Sequence, residues 1–150
     1  MEASPTLATP ARQLEADRHR QAFLLLRTVF TVAPVLFGLD KFTNLLTDWT
    51  MYLAPVVTSV VPLPAQTVMY IVGGVEILAG VMVALRPRFG SELVAAWLLG
   101  IIINLIVLGN FYDVALRDFG LFVAALALNR LSPRKSAKAP AAAQAATPGR

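Results

Sequence analysis

The sequence predicts an all-α fold, a four-helix bundle set in a lipid bilayer, from three observations. Hydrophobic residues make up 57% of the 150, and the mean hydropathy is +0.65. A soluble domain of this size has too little interior to hide that much apolar side chain. Several runs approach the roughly 20 residues that a helix needs to cross hydrocarbon. Prolines, tryptophan and tyrosine gather between the first two runs, as they do at a membrane surface.

In chain order, residues 1–20 read as a flexible polar tail with a short amphipathic lead-in. A first span is expected over about 22–43, with Arg27 inside it and Pro34 at its centre. A basic start before an apolar run resembles a signal peptide, but no small-residue cleavage site follows and the run ends in LFGLDKF. An uncleaved span is the expectation. Residues 44–64, NLLTDWTMYLAPVVTSVVPLP, hold three prolines with Trp49 and Tyr52, and are too interrupted to cross. They read as an interfacial segment. The second span covers about 65–85, RPRFGS (86–91) is a basic turn, the third span covers about 92–110 and the fourth about 112–131. Arg117 and Asp118 interrupt the first turns of the fourth. Residues 132–150 are low-complexity Ala/Pro/Lys sequence, a disordered tail by composition.

Orientation follows from counting Lys and Arg. Arg12, Arg18, Arg20, Arg27, Arg86, Arg88, Arg130, Arg134, Lys135, Lys138 and Arg150 fall on one side, and Lys41 and Arg117 on the other. The positive-inside rule then places both termini in the cytoplasm, in a multi-pass protein of the bacterial inner membrane.

The informative stretch is IVGGVEILAG (71–80), which places Glu76 inside an apolar run. At about 1.5 Å per residue Glu76 lies roughly 14 Å below the outer end of its span, and Asn104 and Arg117 about 8 Å below theirs. Residues three, four and seven apart share a helix face. On the second span these are Gly73, Glu76 and Gly80; on the first, Thr31, Pro34, Gly38 and Lys41. On the third they are Ala96, Gly100 and Asn104, and on the fourth Asp113, Arg117, Gly120, Ala124 and Ala127. All four stripes are expected to point inward. They would form an outer-half polar cluster of Asp40, Lys41, Glu76, Asn104, Asn110, Asp113, Arg117 and Asp118. A central acid is disfavoured by about 3 kcal/mol on insertion scales, so Glu76 must be protonated, paired or hydrated. Pairing with Arg117 or Lys41 would fix helix register; an open site would bind a polar headgroup.

Other chemistries find little support. There is no cysteine, which excludes disulfides, thiol catalysis, iron–sulfur ligation and cysteine-bound zinc. His19 is the single histidine, so bis-histidine haem is excluded and no metal site is expected. The net charge of +4 is not interleaved with aromatics, and nucleic acid is not an expected partner. No catalytic residue is assigned.

GLDKF (38–42), GGVEILAGVMVALRPR (73–88) and ALRDFGLFVAALAL (115–128) together resemble the DoxX-like (DoxX/DoxD) family of small integral membrane proteins. The resemblance covers roughly residues 24–131 and rests on order: Gly and Lys closing helix one, Glu within helix two, a short basic turn, then a late Arg-Asp. It implies a four-helix membrane bundle whose relatives include quinol- and thiosulfate-linked subunits and members of redox and oxidative-stress complexes. Lys41 and Glu76 match the family's polar positions. Without cysteine or a haem-ligand pair, any electron transfer needs another redox subunit or a bound quinone. The expected role is an accessory subunit of a redox complex, in contact with lipid and with other membrane subunits or further copies of itself. A small proton-coupled transport component and a purely structural membrane partner are the alternatives.

Overall fold

A computed structural model describes residues 10–133. Among them the chain is predominantly helical and has no strand. The elements are α1 (Pro10–Thr43), a 3₁₀ turn (Trp49–Tyr52), α2 (Pro55–Val60), α3 (Ala65–Leu85), α4 (Pro87–Leu108) and α5 (Tyr112–Leu131). Three helices, α1, α3 and α4, are long and apolar enough to cross a membrane. The polar stretches 1–9 and 134–150 lie outside the described residues.

Two boundaries differ from the sequence reading. The polar lead-in is helical from Pro10, so α1 runs 34 residues, about 51 Å at the α-helical rise. Ala, Gln, Leu, Glu and Arg over 11–20 are good helix formers, and extending an existing helix needs no new nucleation. The expected turn at 86–91 shrinks to Arg86 alone, because Pro87 opens α4. Proline at the first helical position gives up only an N–H that has no intrahelical partner there. Gly90 makes the reversal possible: a Cβ there would run into the backbone of Met82 and Val83.

Packing is antiparallel along the chain. α1 lies along α3, and α4 along α5, with α3 joining the two pairs. Glycines set the first contact. A Cβ on Gly38 would sit 2.6 Å from the Gly73 carbonyl, one on Gly73 2.6 Å from the Gly38 carbonyl, and one on Gly80 2.7 Å from the Thr31 carbonyl. Small residues allow such approach where lipid supplies no hydrophobic drive. The core between the pairs consists of Phe30, Ala79, Val83, Val94, Ala95, Leu98, Ala125 and Leu128.

The stripes of α1 and α3 face each other, but most of those of α4 and α5 do not point inward; the exceptions are Asn104, which hydrogen-bonds Tyr52 and Ala54, and Ala124, which packs against the core. Ala96 and Gly100 on α4, and Asp113, Arg117, Gly120 and Ala127 on α5, are exposed. A Cβ on Gly100 or Gly120 would meet nothing within 4 Å. α5 instead buries Ala115, Asp118, Ala125 and Leu128.

Polar contacts tie both ends. At one, the Arg27 guanidinium donates to the Ala84 carbonyl near the C-terminus of α3, satisfying an acceptor the helix leaves open. Asn129 Nδ2 there donates to the Arg88 carbonyl (2.9 Å) and to Glu92 (3.0 Å). At the other end residues 44–64, with the 3₁₀ turn and α2, form a strap over the bundle.

Candidate functional site

The centre of the site is an ion pair between the two helices that the glycines bring together. Lys41 Nζ, in the last turn of α1, donates to Glu76 Oε2 at 2.7 Å. The side chains keep 5% and 10% of their exposure, so the pair is withdrawn from solvent. Glu76 lies three residues past Gly73 and four before Gly80, so the glycine contacts fix the helix separation at which Lys41 reaches it. Lys41 Nζ also lies 3.7 Å from the centroid of the Trp49 ring, close enough for a cation–π contact.

Asp40 folds the strap. Its carboxylate accepts from Trp49 Nε1 (2.7 Å), from the backbone N–H groups of Leu45 (3.0 Å) and Leu46 (3.2 Å), and from Thr43 Oγ1 (3.3 Å). Trp49 is therefore held between the Asp40 carboxylate and the Lys41 ammonium. Gln66 Nε2, at the start of α3, donates to the Lys41 carbonyl at 3.2 Å. Asn104 pins the strap to α4: its Oδ1 accepts from Ala54 N–H (3.0 Å) and its Nδ2 donates to the Tyr52 carbonyl (2.6 Å). Tyr52 packs against Phe111 with ring centroids 4.6 Å apart and the planes tilted by 50°. Phe111 holds φ at 59°, a conformation few non-glycine residues take, in the short turn before α5.

The predicted cluster is thus divided. Lys41, Glu76, Asp40 and Asn104 gather under the strap. Arg117 does not reach Glu76; its Nε pairs with the adjacent Asp118 at 3.1 Å, and its side chain is 63% exposed. The helical turn carries 117 outward while it carries Asp118 inward. Asp113 is exposed beside Arg117, and Asn110 Oδ1 accepts the Phe111 N–H (2.9 Å) in the turn. Among the described residues no group of three or more His, Cys, Asp or Glu side chains is placed to hold a metal.

Next to the pair, away from the strap, lies a cavity of about 90 Å³. Phe30, Pro34 and Phe37 of α1, Trp97, Leu98 and Ile101 of α4, Ala79 of α3 and Leu121 of α5 line it, and Glu76 is the single ionisable residue in its wall. Trp97 Nε1 is buried and makes no hydrogen bond of good geometry; the Glu76 carboxylate lies near enough to be its acceptor after a small shift. Buried polar groups nearly always find a partner. Sequence reasoning passed over Trp97. Its signal was position: tryptophan prefers the headgroup level, whereas Trp97 lies midway along α4. Trp49 had no such signal, because its role depends on how the loop folds back.

No protein-family model, no curated protein and no solved structure matches this chain.

Proposed function

We propose that the protein is a four-span bundle of the bacterial inner membrane, DoxX-like, with both termini cytoplasmic. In it α5 joins α1, α3 and α4 in the bilayer. It acts as an accessory subunit of a redox complex by holding one small, largely apolar ligand with a carbonyl-type acceptor, such as a quinone-like ring. The observation that carries this reading is the unpartnered Trp97 N–H in the wall of an apolar cavity beside Glu76. A carbonyl oxygen would complete that donor, and Phe30, Phe37, Leu98 and Ile101 would flank a ring. An apolar cavity of about 150 Å³ takes benzene. The 90 Å³ here therefore receives the carbonyl-bearing edge of a ring and leaves the remainder to extend outward between helices. A quinone would supply the redox chemistry that this chain's own side chains lack; Trp97 would orient it.

The test is equilibrium dialysis of the purified full chain against a short-chain benzoquinone. Trp97→Phe removes the donor and keeps an aromatic ring in the wall, so affinity should fall about tenfold, the worth of one hydrogen bond of about 1.4 kcal/mol. Unchanged affinity would refute the site.

A structural role for the ion pair is the second reading, favoured by the fact that Lys41, Asp40 and Asn104 all have partners within the chain. On that reading Glu76→Gln lowers stability and leaves benzoquinone binding as it was. A proton-coupled transport role would require flux in proteoliposomes that Glu76→Gln abolishes.

A further inference from the structure

The outward stripe of α5 is an anomaly for a helix at membrane depth. α5 has 20 residues, about 30 Å, the thickness of the hydrocarbon. It lies alongside α4, which is apolar enough to cross. Yet Asp113 and Arg117, one turn apart, are both exposed, and Gly120 and Ala127 continue the same face. Asp118 meets one nitrogen of Arg117, and the rest of the guanidinium and the Asp113 carboxylate have no ion-pair partner among the described residues. A charge facing hydrocarbon is disfavoured, most at the centre of the bilayer and less toward a helix end.

We propose that this face of α5 is the contact surface for a second copy of the chain. The proposal rests on the reading that α5 lies in the bilayer. The charge pattern selects the occupant. One carboxylate and one guanidinium a turn apart can pair with the same two groups of a second copy, each pair bridging one turn of offset. Copies inserted with the same topology are related by an axis along the membrane normal. Arg117 of one copy then faces Asp113 of the partner subunit across an offset of about 6 Å in depth, which a long arginine side chain covers, and the pair repeats on the other side of the axis. Anionic lipid headgroups would satisfy Arg117 and repel Asp113. Gly120 supplies the close approach, since the space at its Cβ position is open, as small residues do at membrane helix contacts.

The chain has no cysteine, so single-cysteine cross-linking has no background. Purified full-length Ala127→Cys, reconstituted in phosphatidylcholine vesicles and oxidised with copper phenanthroline, should give a disulfide-linked dimer. Leu78→Cys, exposed on α3, should not. Adding Asp113→Lys, or Gly120→Leu, should lower the Ala127→Cys yield about tenfold or more. A Cβ at Gly120 meets nothing within 4 Å, and Asp113 makes no ion pair among the described residues; helical circular dichroism of each variant checks that α5 is intact. Equal yields at 127 and 78, no dimer at either, or a yield indifferent to Asp113→Lys would each overturn the proposal. Val123→Cys reports on the underlying reading separately. Protection from a membrane-impermeant maleimide keeps α5 in the bilayer whatever the cross-linking shows, whereas labelling removes the need for a cover and overturns both.

Discussion

At the scale of single residues, the chain solves the problem of Glu76 by supplying a cation from the neighbouring helix. Lys41 is 4% exposed and Glu76 8%, so each would be a buried, uncompensated charge without the other. Removing one partner of such a pair costs about 3–5 kcal/mol, whereas removing both together is often nearly neutral. Glu76 was legible as a problem from the sequence, because a lone acid in an apolar run must be neutralised. Its partner was legible only as a choice between Lys41 and Arg117, because side-chain reach alone allows both. The helical phase of α5 decides the matter by turning Asp118 inward and Arg117 out. Asp40 belongs to the same scale. Its four donors fold the strap, and hydrogen bonds to a charged acceptor are stronger than neutral ones. Asp40→Ala is expected to release the strap first, so limited proteolysis between residues 44 and 64 should accelerate markedly while the helical circular dichroism is retained.

At the scale of elements, glycine placement decides which helices touch. Gly38, Gly73 and Gly80 have no room for a methyl group, whereas Gly74 and Gly100 have open space around them. Gly73→Ala should therefore lower the melting temperature in detergent, with about 2 kcal/mol or more of overpacking strain. Gly74→Ala on the adjacent position should be neutral or slightly stabilising, because it removes backbone freedom from a helix interior. Equal effects of the two would contradict the helix contact described here. The sequence showed the stripes through their 3.6-residue period, but a period identifies a face and not what that face meets. The faces of α1 and α3 meet each other. Those of α4 and α5 look outward for the most part, Asn104 and Ala124 apart, because the two helices bury Leu, Val and Ala against each other instead. Pro87 misled for a related reason: proline breaks a helix from within and starts one equally well. The strap carries its own pH signature. The hydroxyl and N–H of Thr50 both donate to Asp48, which caps the 3₁₀ turn, and they hold its carboxyl below the ordinary value of 3.8. The contribution of that cap is present above 3.8 and is lost as pH falls through the lowered value. Amide exchange at Thr50, corrected for its intrinsic pH dependence, should show less protection at the acid end of that window than at neutral pH.

At the scale of the whole molecule, the two ends of the bundle differ in kind. One end gathers Arg27, Arg86, Arg88 and Arg130, with Arg27 and Asn129 tying helices together. The other is closed by the strap, with its aromatic chain from Phe37 through Trp49 and Tyr52 to Phe111. The helices and this asymmetry were readable from composition and charge, since both follow from long-range averages. The strap's three-dimensional path was not, because it is set by individual hydrogen bonds to Asp40 and Asn104. Between the ends, α1 and α3 are joined by one ion pair beside one cavity, and the architecture depends on that pair being mutual. The direct test is a thermal-unfolding double-mutant cycle on the purified chain in detergent, with Lys41→Met, Glu76→Gln and the two combined. The expected result is that each single change destabilises by about 3 kcal/mol and that the double variant recovers much of the loss, with a coupling well above 1 kcal/mol. Losses that add to within about 0.5 kcal/mol would mean that the two side chains do not depend on each other, and would contradict the account.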